Sequence, residues 1–225
     1  MSTLYIVATP IGNLEDVSQR ALRILKEVDL ILCEDTRVTK KLLDRYQIKT
    51  PILSYHQHSR LQKIDYILSL LKQEKNLALV SDAGTPGISD PGNKLINLIA
   101  TRTGLVVEIV PVPGPSAVTA AASISGFPTD RFLFLGFPPT KRKRRKFFEE
   151  VISSKYPVIF YESPYRIIKT LNELKIINNQ LSIVVCRELT KKFETIYRGK
   201  IIEVIEQIEK DKIKGEFVVV VGGKK

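Results

Sequence analysis

The chain has 225 residues, of which 44% are hydrophobic and 26% are charged. This composition excludes a disordered chain, and the length excludes a miniprotein that depends on disulfide bonds for its stability. Thirty-five Lys and Arg residues against twenty-four Asp and Glu residues leave a formal net charge of +11 at pH 7, which indicates contact with a polyanion without identifying it.

In the first half of the chain, short apolar runs alternate with segments of helical periodicity. The runs are rich in Val, Ile and Leu, and they cover residues 4–8, 30–33, 52–55, 77–81 and 106–110. Strands that alternate with helices are typical of a mostly parallel sheet covered on both faces. We therefore predict an N-terminal α/β lobe at residues 1–113.

The second half has a different pattern of apolar runs, at residues 132–137, 157–161, 181–189, 194–199 and 216–221. Two of them meet in RELTKKFETIYRG, where the connection is short, and this favours antiparallel or mixed pairing. We predict a C-terminal α/β lobe with a mixed sheet at residues 114–225, joined to the first lobe at residues 111–116.

Cys33 and Cys186 lie in apolar runs without a nearby Cys or His partner. We interpret both as buried free thiols of a reducing cytoplasm, with a single long-range disulfide as the alternative. The N-terminus lacks the pattern of a signal peptide, and prolines interrupt the uncharged stretch 109–129. We therefore predict no spanning helix and a cytoplasmic protein.

The most unusual segment is SDAGTPGISDPG at residues 81–92. Its glycines permit positive φ and its prolines stiffen the chain, and a connection this long and Gly-rich is usually a ligand loop. The alternative is a plain turn into a helix capped by Ser89 or Asp90. A nucleoside triphosphate loop is excluded because Asn93 stands where its lysine must be.

A second candidate ligand segment is PGPSA, which leads into a helix of small residues. Ser116 and Ala117 stand at the helix start, where hydroxyl and N–H groups can face a ligand, while residues 120–122 favour close helix packing. A hydrolase nucleophile at Ser116 is disfavoured because the G-x-S-x-G elbow is missing. In addition, the sequence offers only two histidines that could serve as its base, His56 and His58.

Polar residues also follow several apolar runs directly. In CEDTR, Asp35 or Thr36 suits the cap of the next helix, which leaves Glu34 and Arg37 for a polar substrate. In the second lobe, YESPYR and RELTK place charged residues after two strands, namely Glu162, Arg166, Arg187, Glu188 and Lys191. Because ligands bind where strands end in α/β folds, charges at these positions favour function.

Six consecutive cations form KRKRRK: Lys141, Arg142, Lys143, Arg144, Arg145 and Lys146. Like charges repel, and cations are unfavourable near a helix N-terminus, so an acidic partner is expected. We interpret the segment as a contact for RNA phosphate.

Taken in order, these loops resemble the bacterial ribosomal RNA small subunit methyltransferase I family, a branch of the tetrapyrrole-methylase superfamily. The matching segments run from residue 7 to residue 221, and SDAGTPGISDPG together with CEDTR is the most specific pair. The chain departs from the family pattern at Tyr165, where a histidine is expected after E-S-P.

The resemblance implies two α/β lobes with a donor site in the cleft between them. It also implies S-adenosylmethionine as methyl donor, no metal, a homodimer, and 2′-O-methylation of a cytidine ribose in the 16S rRNA of the 30S ribosomal subunit. Carried over by position, the donor-binding residues are Pro10, Gly84, Thr85, Pro86, Gly87, Ser116, Ala117, Tyr161, Glu162, Ser163 and Leu189.

For catalysis, a base should help a ribose hydroxyl to attack the methyl group. We take Glu34, Asp35 and Arg37 as the catalytic candidates, with Glu162 as a further possible base. KRKRRK together with Arg166, Arg187 and Lys191 makes up the predicted RNA-binding set. Two other hypotheses stay open: a methylase of the same fold that acts on a tetrapyrrole or a protein side chain, and a basic ribosome-associated protein without catalysis.

Overall fold

A computed structural model describes residues 1–56, 61–101, 104 and 106–224. His58 therefore lies outside the described residues. The chain divides into two compact units, Met1–Ser116 and Ala117–Lys225, called unit 1 and unit 2 below. The boundary predicted from the sequence lies after residue 113.

Unit 1 contains one five-stranded sheet in which every pairing is parallel and the strand order is β3-β2-β4-β1-β5. This confirms the parallel sheet predicted from the alternation of strands and helices. In chain order the elements are β1 (Ser2–Val7), a short 3-10 helix (Leu14–Asp16), α1 (Gln19–Glu27), β2 (Leu30–Cys33), α2 (Thr36–Arg45), β3 (Ile52–Ser54), α3 (Leu61–Lys72), β4 (Leu77–Leu79), α4 (Asn93–Thr101) and β5 (Val107–Val112).

The central strand β4 shows why these residues form a buried sheet. Side chains alternate between the two faces of a strand. Leu77 and Leu79 pack in a core cluster with α3 and α4, whereas Ala78 packs in a second cluster with α1 and α2. All three residues are at most 1% exposed. Helices thus cover both faces of the sheet, and the loops lie at the edges where the strands end.

Unit 2 contains a mixed sheet with the strand order β6-β7-β10-β8-β9. The pair β6–β7 is parallel and the other three pairs are antiparallel, as predicted for the second half. The elements are α5 (Ala117–Ser125), β6 (Leu133–Phe134), α6 (Arg144–Ser153), β7 (Val158–Glu162), α7 (Ile167–Ile177), β8 (Ser182–Arg187), β9 (Thr195–Lys200), α8 (Ile201–Lys210) and β10 (Phe217–Val221).

The core of unit 2 lies between its sheet and three helices. All five residues of β10 are buried, and Phe217, Val219 and Val221 pack in one cluster with side chains of α6, α7 and α8. On the basis of contacts, α5 packs against β10 and β7. The continuous apolar sequence FVVVV is therefore explained by a central strand of the sheet.

Cys33 and Cys186 are both buried and both free, so the disulfide alternative is wrong. In the part of the chain that the structure describes, no helix combines the length and the apolar character that a membrane span needs.

Candidate active site

The loops that follow β1, β4 and β5 leave the same edge of the unit 1 sheet, because these strands are parallel neighbours. Hydrogen bonds join them into one structure. The N–H of Thr9 donates to the carbonyl of Gly84 at 2.9 Å, and the N–H of Gly84 donates to that of Thr9 at 3.0 Å. The hydroxyl of Thr85 donates to the carbonyl of Pro115 at 3.2 Å. Three segments predicted to bind the donor are thereby brought together.

Two glycines of the β4 loop are required by its backbone. Gly84 and Gly87 have φ of +83° and +84°, which L side chains rarely adopt. A Cβ on Gly87 would lie 2.7 Å from Oδ1 of Asn93. The amide nitrogen of Asn93 donates to the carbonyl of Gly87 at 3.0 Å. Asn93 thus closes the loop, a role that accounts for asparagine at a position where a phosphate-binding loop has lysine.

The helix after this loop begins later than the plain-turn alternative predicts. Ser89 has a left-handed φ of +63°, and α4 begins at Asn93. The predicted cap at Ser89 or Asp90 is therefore wrong. The chain is still turning at Gly92, whose φ is +147° and where a Cβ would lie 3.0 Å from the Leu79 side chain. The loop is longer and more constrained than a simple strand-to-helix turn.

The predicted donor residues of unit 1 differ in exposure. Pro10, Gly84 and Pro86 are buried, while Thr85, Gly87 and Ser116 are half-buried. Ser116 ends unit 1, and Ala117 is the first residue of α5.

Beside these loops, the ends of β2, β3 and β4 surround a cavity of about 410 Å³. Asp35 caps α2, as predicted, by accepting from the N–H of Arg37 at 2.8 Å. Its N–H donates to Oδ1 of Asp82 at 2.9 Å, which links the CEDTR segment to the Gly-rich loop. The cavity is lined by Glu34, Asp35, Thr36, Arg37, Ser54, His56 and Asp82.

Two carboxyl groups that line this cavity, Glu34 and Asp35, have shifted pKa values, and so has Asp90 of the Gly-rich loop. Burial raises the pKa of Glu34, and the neighbouring carboxylate of Asp82 adds to the effect. The hydrogen bonds from Arg37, whose Nη2 lies 2.6 Å from Oδ2, lower the pKa of Asp35 to about 2. Burial, with the charges of Glu34 and Asp82, raises the pKa of Asp90 to about 6. Glu34 is thus the stronger base, while Asp35 stays ionised and orients Arg37.

We expect the Asp90 carboxyl to make stability depend on pH. Its folded-state pKa of about 6 exceeds the ordinary 3.8, so the folded protein binds more protons between these values and loses stability as pH rises through 6. In urea unfolding, Asp90→Asn should stabilise the protein by about 1 kcal/mol at pH 8, allowing for solvent screening, and by less at pH 5. Asp130→Asn, at an exposed loop position, is the control. An equal effect of Asp90→Asn at both pH values would contradict the shift.

In unit 2, the segment after β7 is organised around a buried carboxylate. Glu162 is 1% exposed. Its carboxylate accepts from the N–H of Ser163 at 2.7 Å and the hydroxyl of Thr170 at 2.6 Å, and it forms an ion pair with Arg166 at 2.8 Å. The carboxylate faces groups of unit 2, and the predictions of Glu162 as a base and as a donor-binding residue remain untested. The Arg166 guanidinium neutralises the Glu162 carboxylate through this ion pair.

The segment after β8 has an unusual backbone. Glu188 and Thr190, on either side of buried Leu189, have φ of +53° and +64°, a conformation that costs free energy and is frequent at functional sites. Lys191 holds the segment by ion pairs with Glu188 at 2.8 Å and Glu216 at 3.0 Å.

Among the cations predicted to bind RNA, two more have partners inside unit 2. The Lys191 ammonium lies between two carboxylates, as described above. The Arg187 guanidinium donates to the carbonyl of Lys214 at 2.9 Å and has an 11% exposed side chain. Both side chains therefore stabilise the loop, and their predicted contact with RNA phosphate remains untested. Tyr161, Ser163 and Leu189 remain predicted donor contacts.

The six cations of KRKRRK divide into two groups. Five are exposed, whereas Arg144 is 9% exposed. The Arg144 guanidinium donates to Glu173 at 2.7 Å, to the carbonyl of Pro139 at 3.0 Å and to the hydroxyl of Thr170 at 2.7 Å. Its predicted contact with RNA remains untested. Its charge is compensated within the fold, and α6 begins at this residue.

We expect Arg144→Ala to lower the free energy of unfolding by about 2–4 kcal/mol, because Glu173 and Thr170 lose a buried partner. The neighbouring Arg145 pairs with Glu149, but its side chain is 91% exposed. Arg145→Ala should therefore cost less than about 0.5 kcal/mol. Urea unfolding compares the two variants, which remove the same charge. Equal stabilities would show that the Arg144 contacts contribute nothing.

The chain has close relatives and more distant structural neighbours. Residues 3–205 match the family model of the tetrapyrrole (corrin/porphyrin) methylases. The ribosomal RNA small subunit methyltransferase I of Thermotoga maritima is 46% identical over 224 residues, with both chains fully covered. That of Bacillus subtilis is also 46% identical over 224 residues, which are 99% of this chain and 76% of the relative.

Among solved structures, diphthine synthase superposes with a TM-score of 0.74 at 14% identity, covering 99% of this chain and 90% of the other. A cobalt precorrin-4 methyltransferase gives 0.70 at 19% identity, covering 98% and 94%. At these identities the superpositions establish a shared fold.

Fold and loops together define a methylase of the tetrapyrrole-methylase type. Within that class, the chain belongs to the ribosomal RNA small subunit methyltransferase I family. This membership confirms the resemblance drawn from the loop motifs, and it makes the chain an S-adenosylmethionine-dependent methyltransferase. The hypothesis of a binding protein without catalysis is therefore wrong. Among the described residues, no group of three or more His, Cys, Asp or Glu side chains could hold a metal ion.

Proposed function

We propose that this methyltransferase moves the methyl group of S-adenosylmethionine to the ribose 2′-oxygen of a cytidine in 16S rRNA. The observation that carries the proposal is the 46% identity, over the whole chain, to relatives named for methylation of small-subunit ribosomal RNA. The choice of a cytidine ribose rests on the resemblance of the loop motifs. Since the substrate is ribosomal, we place the reaction in the cytoplasm.

The tied loops of unit 1 suit the proposed donor. When bound, S-adenosylmethionine supplies a methyl group made electrophilic by its sulfonium. Gly84 and Gly87 let the loop keep its positive-φ turns while it packs against Ile11 and Asn93, and this fixes the backbone groups that would face a ligand. The half-buried Thr85 and Ser116 offer hydroxyl groups beside them. A donor held here would lie beside the acidic cavity, since Asp82 belongs to both the Gly-rich loop and the cavity wall.

The cavity provides what attack by a ribose hydroxyl requires. A hydroxyl is a weak acid, and Glu34, whose pKa is raised by burial, can accept its proton. The bond between the methyl carbon and the ribose oxygen would form as the bond from that carbon to the donor sulfur breaks. The Arg37 side chain is 87% exposed, and its guanidinium can hold a backbone phosphate of the RNA. Asp35 orients Arg37 through their ion pair. Positioning the hydroxyl against the methyl group supplies much of the remaining acceleration.

A methylase of the same fold with a tetrapyrrole or protein acceptor is the competing proposal. The net charge of +11 and the five exposed cations of KRKRRK favour RNA, which presents many phosphates. We also propose a homodimer, on the basis of the resemblance; light scattering of the purified protein tests it, and a monomer mass at working concentration would exclude it.

Methyl transfer can be tested with labelled S-adenosylmethionine and four acceptors in parallel: 30S subunits, naked 16S rRNA, a uroporphyrin-type tetrapyrrole and total protein. The RNA and the subunits come from cells that lack the enzyme. We expect label in the ribosomal RNA. Label in the tetrapyrrole or the protein fraction, with none in RNA, would replace the proposal by its competitor.

A further inference from the structure

Three loops of unit 2 leave the same edge of its sheet. β6 is parallel to β7, and β8 runs in the same direction as β7 because both are antiparallel to β10. The register places the last residues of β7 and β8 at one level, since Glu162 and Arg187 both pair with Phe217. The loop after β6 reaches this level too, because the N–H of Tyr161 donates to the carbonyl of Gly136 at 2.8 Å.

Each of these loops exposes an aromatic side chain to solvent. Phe137 follows β6 and is 53% exposed, Tyr165 follows β7 and is 96% exposed, and Phe193 follows β8 and is 66% exposed. Together we call them the aromatic edge. β6 and β8 are separated by three interstrand spacings, or about 14 Å. Large aromatic side chains are normally buried, so three at one sheet edge indicate a surface that binds something.

The loops that carry the aromatic edge are held in place. Arg166 donates to the carbonyl of Pro138 at 3.2 Å and to the hydroxyl of Ser163 at 3.2 Å, and so connects the loops after β6 and β7. The Phe137 ring packs against the Tyr161 ring, with centroids 5.3 Å apart. The loop after β8 is fixed by the ion pairs of Lys191. A partner would therefore meet a preorganised surface.

The charge around the aromatic edge identifies the partner. The ammonium of Lys192 lies 5.7 Å from the centre of the Phe193 ring. The exposed cations Lys141, Arg142 and Lys143 continue from the loop that carries Phe137. Glu188 and Glu216 are neutralised by Lys191. The exposed Glu194, which follows Phe193, accepts from the N–H of Thr190 at 2.6 Å. Exposed rings among cations fit single-stranded RNA, whose bases stack on aromatic side chains while cations hold its phosphates.

We propose that the aromatic edge stacks on unpaired bases of the RNA substrate, so that the enzyme takes single-stranded rather than duplex RNA around its target. This inference rests on the proposed function, because it assumes an RNA substrate. It adds three residues that touch RNA, Phe137, Tyr165 and Phe193, to the cations predicted from sequence. In a duplex the bases are already stacked on each other and offer no face to these rings.

The test measures binding of a fluorescein-labelled single-stranded RNA 12-mer and of the same sequence in a duplex, by anisotropy with the full chain. The variants are Phe137→Ala, Tyr165→Ala, Phe193→Ala and their triple combination. Tyr165→Phe retains the ring. Tyr66→Ala removes a ring that is 52% exposed on α3 and serves as the matched control. Melting temperatures show whether each variant is folded.

We expect each alanine variant to bind the single strand about five- to hundredfold more weakly. Binding by Tyr165→Phe and Tyr66→Ala should match the wild type. The slope of affinity against salt should not change, because no phosphate contact is removed. A folded triple variant with wild-type affinity for the single strand would overturn the proposal. So would an equal loss for the duplex. Binding of the same variants to 30S subunits is measured too, and a loss seen there but not with the free RNA would point to a ribosomal protein and overturn the proposal.

Methyl transfer by the wild type to 30S subunits and to naked 16S rRNA is measured with the same preparation. If transfer is absent with both acceptors, the proposed function fails. If it is present while the aromatic variants bind the single strand normally, the stacking surface fails and the function stands.

Discussion

Replacing Gly84 by valine should abolish the binding of S-adenosylmethionine, as measured by isothermal titration calorimetry. Gly84 has a φ of +83°, and an added Cβ would meet Cγ2 of Ile11 at 3.4 Å and the Pro115 carbonyl at 3.8 Å. A branched side chain here strains the backbone and extends into the point where three loops are tied together. The expected loss is complete at attainable donor concentrations, because the whole donor surface is displaced.

Gly104→Val is the matched control for this variant. Gly104 belongs to the same unit and has a φ of +82°, but no described atom lies within 4 Å of an added Cβ. The backbone strain is therefore similar, and the donor loops are untouched. Both variants should be compared by thermal unfolding. A folded Gly84→Val protein with unchanged donor affinity would remove the Gly-rich loop from the donor site.

The second large effect is expected at the acidic cavity. Glu34→Ala and Arg37→Ala should each lose methyl transfer, by roughly 10²- to 10⁴-fold for the base, while the affinity for S-adenosylmethionine stays unchanged. Glu34→Gln keeps the shape of the side chain and should lose as much activity. Because the Glu34 pKa is raised, the wild-type rate should fall on the acid side at a higher pH than an ordinary carboxylate would produce.

Single-turnover transfer to 30S subunits, together with calorimetry of donor binding, separates the two steps. Arg23→Ala is the control, since Arg23 is an exposed arginine that also pairs with a carboxylate, that of Glu27 at 2.9 Å. Full turnover by both Glu34→Ala and Arg37→Ala would exclude the CEDTR segment from the site.

The fold follows from patterns that act over short distances. Alternating apolar runs and helical segments predict the parallel sheet of unit 1, and the short RELTKKF connection predicts the antiparallel pair β8–β9. The sequence also predicts that the donor loops lie close together, because the loops that follow parallel strands lie at one edge of the sheet. What the sequence could not show is which polar groups meet across that edge, such as Asp82 with the N–H of Asp35.

The surroundings that the sequence did not show are those of side chains whose partners are distant in sequence. Arg144 belongs to a run of cations, and nothing local distinguishes it from Arg145. Its burial depends on Thr170 and Glu173, which lie on α7. The Glu162 carboxylate likewise faces Thr170. Local composition predicts charge at a strand end, but tertiary packing decides whether that charge faces a ligand or the protein interior.

The exposure of the aromatic edge also depends on tertiary packing, which the local sequence does not show. Phe137, Tyr165 and Phe193 stand in three separate loops, and sequence alone does not distinguish them from aromatic residues of the core. The strand order β6-β7-β10-β8-β9 brings these loops to one edge. In the sequence, Tyr165 departs from the E-S-P-H-R pattern of the family. The structure shows that this tyrosine is 96% exposed.

The central claim is that a cytidine ribose of 16S rRNA receives the methyl group. The most direct test incubates the protein with methyl-labelled S-adenosylmethionine and 30S subunits from cells lacking the enzyme, then maps the label by nuclease digestion and mass spectrometry. The account predicts label on the ribose of one cytidine. Label on a base, or unlabelled RNA with a protein that still binds the donor, would contradict it.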